Sequence, residues 1–377
     1  MFIKYIFSKN TLANLIVTLY LILSFLFYVV ERNNKPIISI SLVLISFFSA
    51  FYTLFQHKLS IQNNNKIILY IFFYLLIVIV GYLNETFSLD SIYFLAAPAF
   101  AYFVSNNEFN TRLLYLVLIC IYSYLIKLSL SSSDGEELNL VFESASRNVF
   151  SVIAITSTVL VYLITIKQNK LIYIWPAAIT FLISVLSFGR SGIITSLILL
   201  LGLFFIYISK RGLKFRLVLL FFFLFPCIFF IGLKFNELCF FFDNFDKFEH
   251  LIVNGFESNE RSEVLSSYFN NLNFLNFFTG VNYSNIFIFQ HLEMNPHNSF
   301  IRFHHYAGFF SIIFFIYCLK ALYSYFRSTK VVFFIFFALL LRGWTDAIFF
   351  FSFYDFLIYL LIFETNKFIK VNAQIHI

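Results

Sequence analysis

Several long stretches of the chain carry no charged residue, and they limit the folds that it can adopt. Residues 11–30 and 149–166 each run for about 18 to 20 residues without a charge. A helix of that length spans the ~30 Å hydrocarbon core of a bilayer. Hydrophobic residues make up 60% of the chain and charged residues 12%, well outside the norm for soluble proteins. The sequence therefore predicts an all-α integral membrane protein, with residues 1–377 forming one polytopic domain.

Hydropathy predicts about twelve membrane spans, which puts both chain termini on the same side. Lysine and arginine are concentrated in the segments on that side, so the positive-inside rule assigns both termini to the cytoplasm. The predicted spans are residues 12–30, 37–55, 66–83, 91–104, 112–130, 148–166, 171–187, 191–208, 214–234, 304–325, 330–341 and 346–363.

The longest polar interruption is the loop at residues 235–303, between spans nine and ten. It contains His250, His291, His297 and Arg261 and the densest run of acidic residues in the chain. The topology makes this loop extracytoplasmic. We expect it to carry short helices over the membrane domain and to hold half of an active site.

Other function classes find little support in the sequence. The net charge of +7 follows membrane topology, so we expect no nucleic acid partner. There is no GxxxxGK[ST] phosphate loop, and the four cysteines show no CxxC spacing. His291, His304 and His305 leave a metal site as an alternative, but HxxxH and HExxH spacings are absent. We therefore expect no metal and no cofactor.

Arg190 is the first candidate for chemistry. It lies in the turn SFGRSG at residues 187–192, in a tight hairpin between spans seven and eight where Gly189 and Gly192 relieve the turn. At the outer membrane boundary its fork of donors suits a bidentate contact to phosphate. The flanking glycines and Ser191 favour an anion site, although an interfacial arginine that reaches lipid headgroups is the simpler alternative.

Arg261 is the second candidate. It lies in the first turn of a predicted amphipathic helix, with Leu265, Tyr268, Phe269 and Leu272 at helical spacing. A cation in the first turn gains nothing from the helix dipole. The alternative is an exposed arginine paired with a neighbouring glutamate.

His297 is the third candidate, where the loop returns to the membrane at residues 296–299. A neutral histidine whose tautomer is fixed by Asn298 or a backbone carbonyl can take a proton near neutral pH. A boundary histidine without a role is the alternative.

Weaker candidates are the ionisable residues within spans, Lys127 and Asp355. Residues 342–346 (RGWTD) are interpreted as an interfacial turn with a local ion pair and an aromatic anchor. Tyr268 and Tyr283 either face a substrate or simply pack within an aromatic-rich loop.

Taken in order, these stretches resemble the O-antigen polymerase and O-antigen ligase family over roughly residues 180–325. The motifs are the arginine turn, the helix opened by Arg261 that leads to the turn FTGVN at residues 278–282 with Gly280, then His297-Asn298 and a span containing Gly308. Two positions depart from the family pattern. Asn282 replaces a second glycine, and Val264-Leu265 replaces an aromatic residue.

The resemblance implies a metal-independent glycosyltransferase of the GT-C type in the bacterial inner membrane, with its active site facing the periplasm. Its donor would be an oligosaccharide on undecaprenyl pyrophosphate, and its other partners would be membrane lipid and a chain-length regulator. Arg190 and Arg261 would bind the pyrophosphate and His297 would be the general base, with Asn298, Gly189, Ser191, Gly192 and Gly280 in support. We favour the polymerase over the ligase, and a lipid-linked sugar flippase remains the alternative from another class.

Overall fold

The computed structural model describes residues 9–57, 64–86, 89–131, 137–142, 146–209, 259–291, 295–370 and 375–376. These residues are largely helical, and six of their helices are long and apolar enough to cross a membrane. The six segments are Thr11–Val29, Arg32–Gln56, Thr111–Ser131, Asn148–Lys167, Arg190–Ser209 and Phe309–Ser328. The predicted helical membrane protein is confirmed to this extent. The predicted ninth span, residues 214–234, lies outside the described residues.

The first half of the chain forms nine helices within the described ranges. They are α1 (Lys9–Val29), α2 (Lys35–His57), α3 (Asn64–Leu83), α4 (Tyr93–Asn106), α5 (Thr111–Ser131), α6 (Glu137–Leu140), α7 (Asn148–Lys167), α8 (Trp175–Leu186) and α9 (Arg190–Ser209).

The described residues after 258 form eight more helices. They are α10 (Asn259–Asn270), α11 (Phe274–Thr279), α12 (Phe287–His291), α13 (Ser299–Ala307), α14 (Phe309–Ser328), α15 (Lys330–Thr345), α16 (Asp355–Phe363) and α17 (Thr365–Ile369). Two short strands, β1 (Ile172–Tyr173) and β2 (Ile375–His376), pair in parallel.

Helix α7 is the centre of the bundle. It packs against α5, α8 and α9, and 94% of its apolar stretch is buried, compared with 22% of the apolar stretch of α14. A helix that is apolar all round and buried all round needs no polar face. The poorly buried α14 therefore lies at the periphery, with its apolar side chains available to lipid.

Polar contacts gather at the two opposite ends of this bundle. At one end, which we call the loop end, Asn84, Asn148, Ser191 and Asp346 are linked to one another or to the loop helices. At the other end, Lys167 contacts the end of α4. This separation agrees with the predicted alternation of the spans, in which all four loop-end residues fall on the extracytoplasmic side.

The predicted span 304–325 differs from the helices observed. The chain forms α13 and α14 with a break at Gly308, whose φ is +51°. A Cβ at Gly308 would lie 2.0 Å from the carbonyl oxygen of Phe278, so close packing of the loop against this break requires glycine. The membrane-spanning helix therefore begins at Phe309, and His304 and His305 precede it.

The predicted span 346–363 is helical only from Asp355 onward. Residues 346–354, which we call the unwound segment, consist of bends and turns. Hydropathy does not distinguish this segment from a membrane-spanning helix, because the segment is also rich in phenylalanine. Non-helical backbone at membrane depth is tolerated where protein buries it, and the contacts that do so are described below.

The loop helices pack around a small core of their own. Its buried members are Val264, Tyr268, Val281, Tyr283, Phe289 and Ile301. The predicted helix that contains Arg261 is observed as α10 within the described residues. Phe269, assigned by spacing to the apolar face, is 58% exposed. Val264 is buried on the apolar face instead of Phe269, because it lies four residues before Tyr268 on the same side of the helix.

Candidate functional site

The end of α15 is the centre of the polar contacts at the loop end. Arg342 is fully buried there, in the last helical turn of α15 rather than in the predicted interfacial turn, and it forms the predicted ion pair with Asp346 at 3.2 Å. Its Nη1 donates to Ser191 Oγ at 2.6 Å, and Nη2 donates to the Asn148 carbonyl at 3.2 Å. This guanidinium therefore holds α7, α9 and α15 together.

Arg190 is the first residue of α9 and is half-buried beside this contact. The next residue, Ser191, is the one that Arg342 binds. A Cβ at Gly192 would lie 2.2 Å from Ser151 Oγ, and one at Gly189 would lie 3.0 Å from Asn148 Oδ1. The glycines predicted to support an anion site thus allow α9 to approach α7 closely.

Arg261 reaches the same region from the loop. It is half-buried in the first turn of α10, and it lies close enough to Arg342 for its positive charge to act on the buried guanidinium. The structure therefore brings the loop arginine to the end of α15, where the turn that contains Arg190 is also anchored.

His297 is connected to the end of α15 through the residues that follow it. Its backbone is in the left-handed region, with φ +48°, and its N–H donates to Asn295 Oδ1 at 3.0 Å. Non-glycine residues rarely adopt this conformation, so its presence marks a constrained backbone. Asn298 caps α13, since its Oδ1 accepts from the N–H groups of Phe300 and Ile301.

Ser299 links this stretch directly to α15. Its hydroxyl donates to the Asp346 carbonyl at 2.6 Å and accepts from the N–H groups of Ile348 and Phe349 at 3.1 and 3.0 Å. His297 therefore lies two residues from a side chain that is bound to the Arg342–Asp346 pair. Contacts through Ser191 and Ser299, and the charge of Arg261, thus connect the three predicted motifs to the end of α15.

Gly280 lies in a different part of the loop end. Its φ is +88°, and a Cβ there would meet the carbonyl oxygen of His304 at 2.3 Å. Its own carbonyl accepts from Asn84 Nδ2 at 2.8 Å, and Asn282 Nδ2 donates to the Asn84 carbonyl at 3.0 Å. Gly280 thus joins the loop to α3 and α13. Asn282, the departure from the family pattern, contributes a hydrogen bond that glycine lacks.

The side chains of two histidines of α13 bind other residues of the loop and not the arginines. His304 Nε2 donates to the Phe277 carbonyl at 3.1 Å, so its Nδ1 accepts from the hydroxyl of Tyr268 at 2.7 Å. His305 Nδ1 donates to the Val281 carbonyl at 2.8 Å, and its ring stacks on Tyr283 at 3.7 Å. Tyr268 and Tyr283 are buried, so they pack within the loop.

Burial also sets the charge state of these histidines. Loss of solvent lowers the pKa of His305 to about 4, and it lowers the pKa of His304 as well. Both rings are therefore neutral near neutral pH. No cluster of three His, Cys, Asp or Glu side chains that could hold a metal ion is found in the described ranges.

The unwound segment is held by Ser299 and Arg302, for which the sequence predicts no role, and by Asp355, one of the weaker candidates. Arg302 donates to the carbonyls of Ala347 and Phe351 at 3.4 and 3.2 Å. Asp355 accepts from the N–H groups of Phe350 at 2.6 Å and Ser352 at 2.9 Å. Together with Ser299, these two side chains take the place of the helical hydrogen bonds that the segment lacks.

The backbone of the unwound segment is strained where these contacts meet. Phe350 and Phe351 have φ of +63° and +66°, which is costly for side chains of this size. The sequence contains only a partial signal for this arrangement. Ser299 and Arg302 are three residues apart and share one helix face, and Asp355 is an ionisable residue within a predicted span.

No family model, curated protein or solved structure matches this chain. The family resemblance stated from the motifs therefore stays a prediction. The functional argument depends on the residues that meet at the end of α15.

Proposed function

We propose that the chain is an O-antigen polymerase. In this proposal it transfers an oligosaccharide from undecaprenyl pyrophosphate to a sugar hydroxyl of another lipid-linked repeat unit, at the periplasmic face of the bacterial inner membrane. A twelve-span fold of the GT-C type with cytoplasmic termini belongs to the same proposal. The observation that supports it is the gathering of Arg190, Arg261 and Arg342 around one helix end.

The charge balance at that end suits a pyrophosphate. Asp346 pairs with Arg342, which is also committed to Ser191 and the Asn148 carbonyl. The half-buried Arg190 and Arg261 belong to different elements, so a ligand between them would be contacted from two sides. Arginine donors can neutralise a leaving pyrophosphate, and aligned donors of this kind contribute about 10²–10³ in rate each.

The reaction would proceed by one displacement. The acceptor oxygen bonds to the anomeric carbon while the bond from that carbon to the pyrophosphate oxygen breaks, and the electron pair leaves with undecaprenyl pyrophosphate. His297 takes the hydroxyl proton as general base. Attack from the side opposite the leaving group inverts the anomeric carbon. Neither Arg190 nor Arg261 needs a metal ion to perform its role.

An O-antigen ligase would use the same donor and the same residues. It differs in its acceptor, which is the lipid A–core rather than a lipid-linked repeat unit. Acceptor choice therefore separates the two. Glycan attached to lipid A–core in a ligase-deficient strain that carries this gene would refute the polymerase.

A transporter of lipid-linked sugar is a second candidate because of the unwound segment. Broken helices often form substrate sites in transporters. Here the segment's backbone is bound by Ser299, Arg302 and Asp355. Accessibility measured from both faces of the membrane distinguishes the two functions. Alternating access supports transport, whereas a cavity open only on the loop side supports transfer.

Complementation of a polymerase-deficient strain that has the matching repeat-unit genes tests the proposal. We expect wild type to restore a ladder of long glycan, and Arg190→Ala, Arg261→Ala and His297→Ala to abolish it at equal membrane expression. Arg327→Ala, at an exposed arginine near the end of α14, is the matched control and should retain the ladder.

Two outcomes would contradict the proposal in different ways. If wild type restores no ladder, but deletion from the native host leaves polymer on the lipid carrier, the protein is a ligase. If wild type restores the ladder and the three substitutions leave it intact, the transferase is right and the residues are wrong.

A further inference from the structure

The short loop helix α11 has a strongly exposed apolar face. Phe274 is 84% exposed, Leu275 68% and Phe278 43%. We call these three residues the α11 face. No charged residue lies between Asn273 and Val281. A contiguous exposed group of large apolar side chains marks a surface that meets something other than water.

The position of α11 indicates what covers this face. The helix packs against α3, α13 and α14. Its Phe277 and Phe278 rings contact Phe309 at 5.8 and 5.6 Å, and Phe309 is the first residue of the membrane-spanning helix α14. The α11 face therefore lies at the level where a span begins.

Both neighbouring membrane helices expose apolar side chains beside it. At its loop end α3 exposes Ile79, Tyr82 and Leu83 by 54%, 77% and 71%. Along α14, Ile316 and Tyr317 are also more than half exposed. Tyrosine at the end of an apolar helix is typical of the membrane–water interface. The α11 face thus continues two surfaces that a membrane protein presents to lipid.

The attachment of α11 to α3 keeps the face at this level. Asn84, just beyond α3, exchanges hydrogen bonds with Gly280 and Asn282. The backbone of Phe278 also lies against Gly308, immediately before α14. Phe269 and Phe287 are also exposed in the loop, but their helices pack mainly against each other and against the turn at residues 283–285.

We propose that the α11 face inserts into the lipid leaflet on the loop side, so that α11 anchors the loop in the membrane. The ligand is the hydrocarbon region of the bilayer. The anchor fixes the height of the loop that carries Arg261 and His297. The inference requires a membrane-embedded protein, but it does not depend on glycan transfer.

Tryptophan fluorescence in bilayers tests this proposal on the full-length protein. Phe274→Trp and Leu275→Trp are reconstituted into phosphatidylcholine nanodiscs with and without bromines on the acyl chains, and wild type supplies the background of Trp175 and Trp344. We expect the brominated chains to remove most of the added fluorescence. Glu263→Trp is the control, because an exposed charged position on α10 should lie in water and resist this quenching.

A water-soluble quencher, acrylamide, completes the test. Strong quenching of Phe274→Trp and Leu275→Trp by acrylamide, with none by bromine, would place the α11 face in water and overturn the proposal. Protection from both quenchers would show that protein, such as a second copy of the chain, covers the face, and would overturn it too. Neither readout requires turnover, so the result is independent of the proposed reaction.

Discussion

Cations lie at both ends of the helix bundle, but they meet the helices in opposite ways. At the end away from the loop, Lys167 donates to the carbonyls of Val104 and Asn107 at 2.6 and 2.5 Å. These carbonyls belong to the last turn of α4 and its cap. A cation there satisfies orphan carbonyls and lies at the negative end of the helix dipole. Lys167 is therefore explained by the fold.

At the loop end the arrangement is reversed. Arg190 is the first residue of α9, and Arg261 lies in the first turn of α10. Both are at the positive end of a helix dipole, so the helices gain nothing from them. Arg342 increases the positive charge, and its Nε is buried without a hydrogen-bond partner. This contrast is the basis of our proposal that the two half-buried arginines bind a ligand, whereas Arg342 holds the fold beside them.

The largest expected effect on stability comes from Arg342. Arg342→Met leaves Asp346 without its partner, and breaking a buried ion pair costs about 3–5 kcal/mol. We expect the free energy of unfolding, measured by denaturant titration in mixed micelles, to fall by that amount. Arg190→Ala is the matched comparison and should lower it by less, because Arg190 is only half-buried. Equal losses for both variants would remove the distinction between a structural and a ligand-binding arginine.

The second-largest loss of stability is expected on substitution of Asp355. Asp355→Leu leaves the N–H groups of Phe350 and Ser352 without their acceptor, and we expect a loss of about 2–3 kcal/mol in the free energy of unfolding. Removal of the strained backbone's support should also lower the proposed transfer activity, because the unwound segment begins at Asp346. Glu364→Leu, at a partly exposed acid at the end of α16, serves as the control. An unchanged unfolding midpoint for Asp355→Leu would contradict its assigned role.

His305 gives a pH-dependent effect. Its pKa is near 6.5 when unfolded and about 4 when folded, so the unfolded chain binds the proton more readily. The stabilisation is complete above pH 6.5 and is lost as the pH falls towards 4, with on the order of 2 kcal/mol gone at pH 5. The midpoint of thermal unfolding should fall less steeply over this window in His305→Gln. Parallel pH profiles would show that His305 is not buried as described.

The smallest effect is expected at the opposite end. Lys167→Met removes the donors to Val104 and Asn107 and should cost about 1 kcal/mol in unfolding free energy, with transfer activity retained. Lys127→Met, at an exposed lysine, should change neither quantity. Loss of transfer at normal stability in Lys167→Met would mean that both ends bind substrate, and the comparison would fail.

The sequence predicted some elements well because their signals are local. The tight turn before Arg190 follows from glycines, and the helix that contains Arg261 follows from the spacing of its apolar residues. The unwound segment could not be predicted, since its phenylalanine-rich residues have the hydropathy of a span. Its shape depends on Ser299, Arg302 and Asp355, which come from two other helices. Hydropathy reports the environment of side chains and carries no information on which distant groups bind the backbone.

The importance of Arg342 was missed for a related reason. Next to Asp346 in the sequence, it has the pattern of an interfacial ion pair, and that pair is present. Its burial depends on Ser191 and Asn148, which lie about 150 and 190 residues away in the chain. Such partners become visible only when α7, α9 and α15 are packed together.

The most direct test of the account is ligand-induced stabilisation. Undecaprenyl pyrophosphate is added to purified wild type, Arg190→Ala and Arg261→Ala, and undecaprenol is the phosphate-free control. We predict that the pyrophosphate raises the unfolding temperature of wild type by several degrees, because it binds only the folded state. Both variants should lose this shift, measured from the ligand-free midpoint of each variant. An equal shift in the variants, or none in wild type, would contradict the claim that these arginines form a pyrophosphate site.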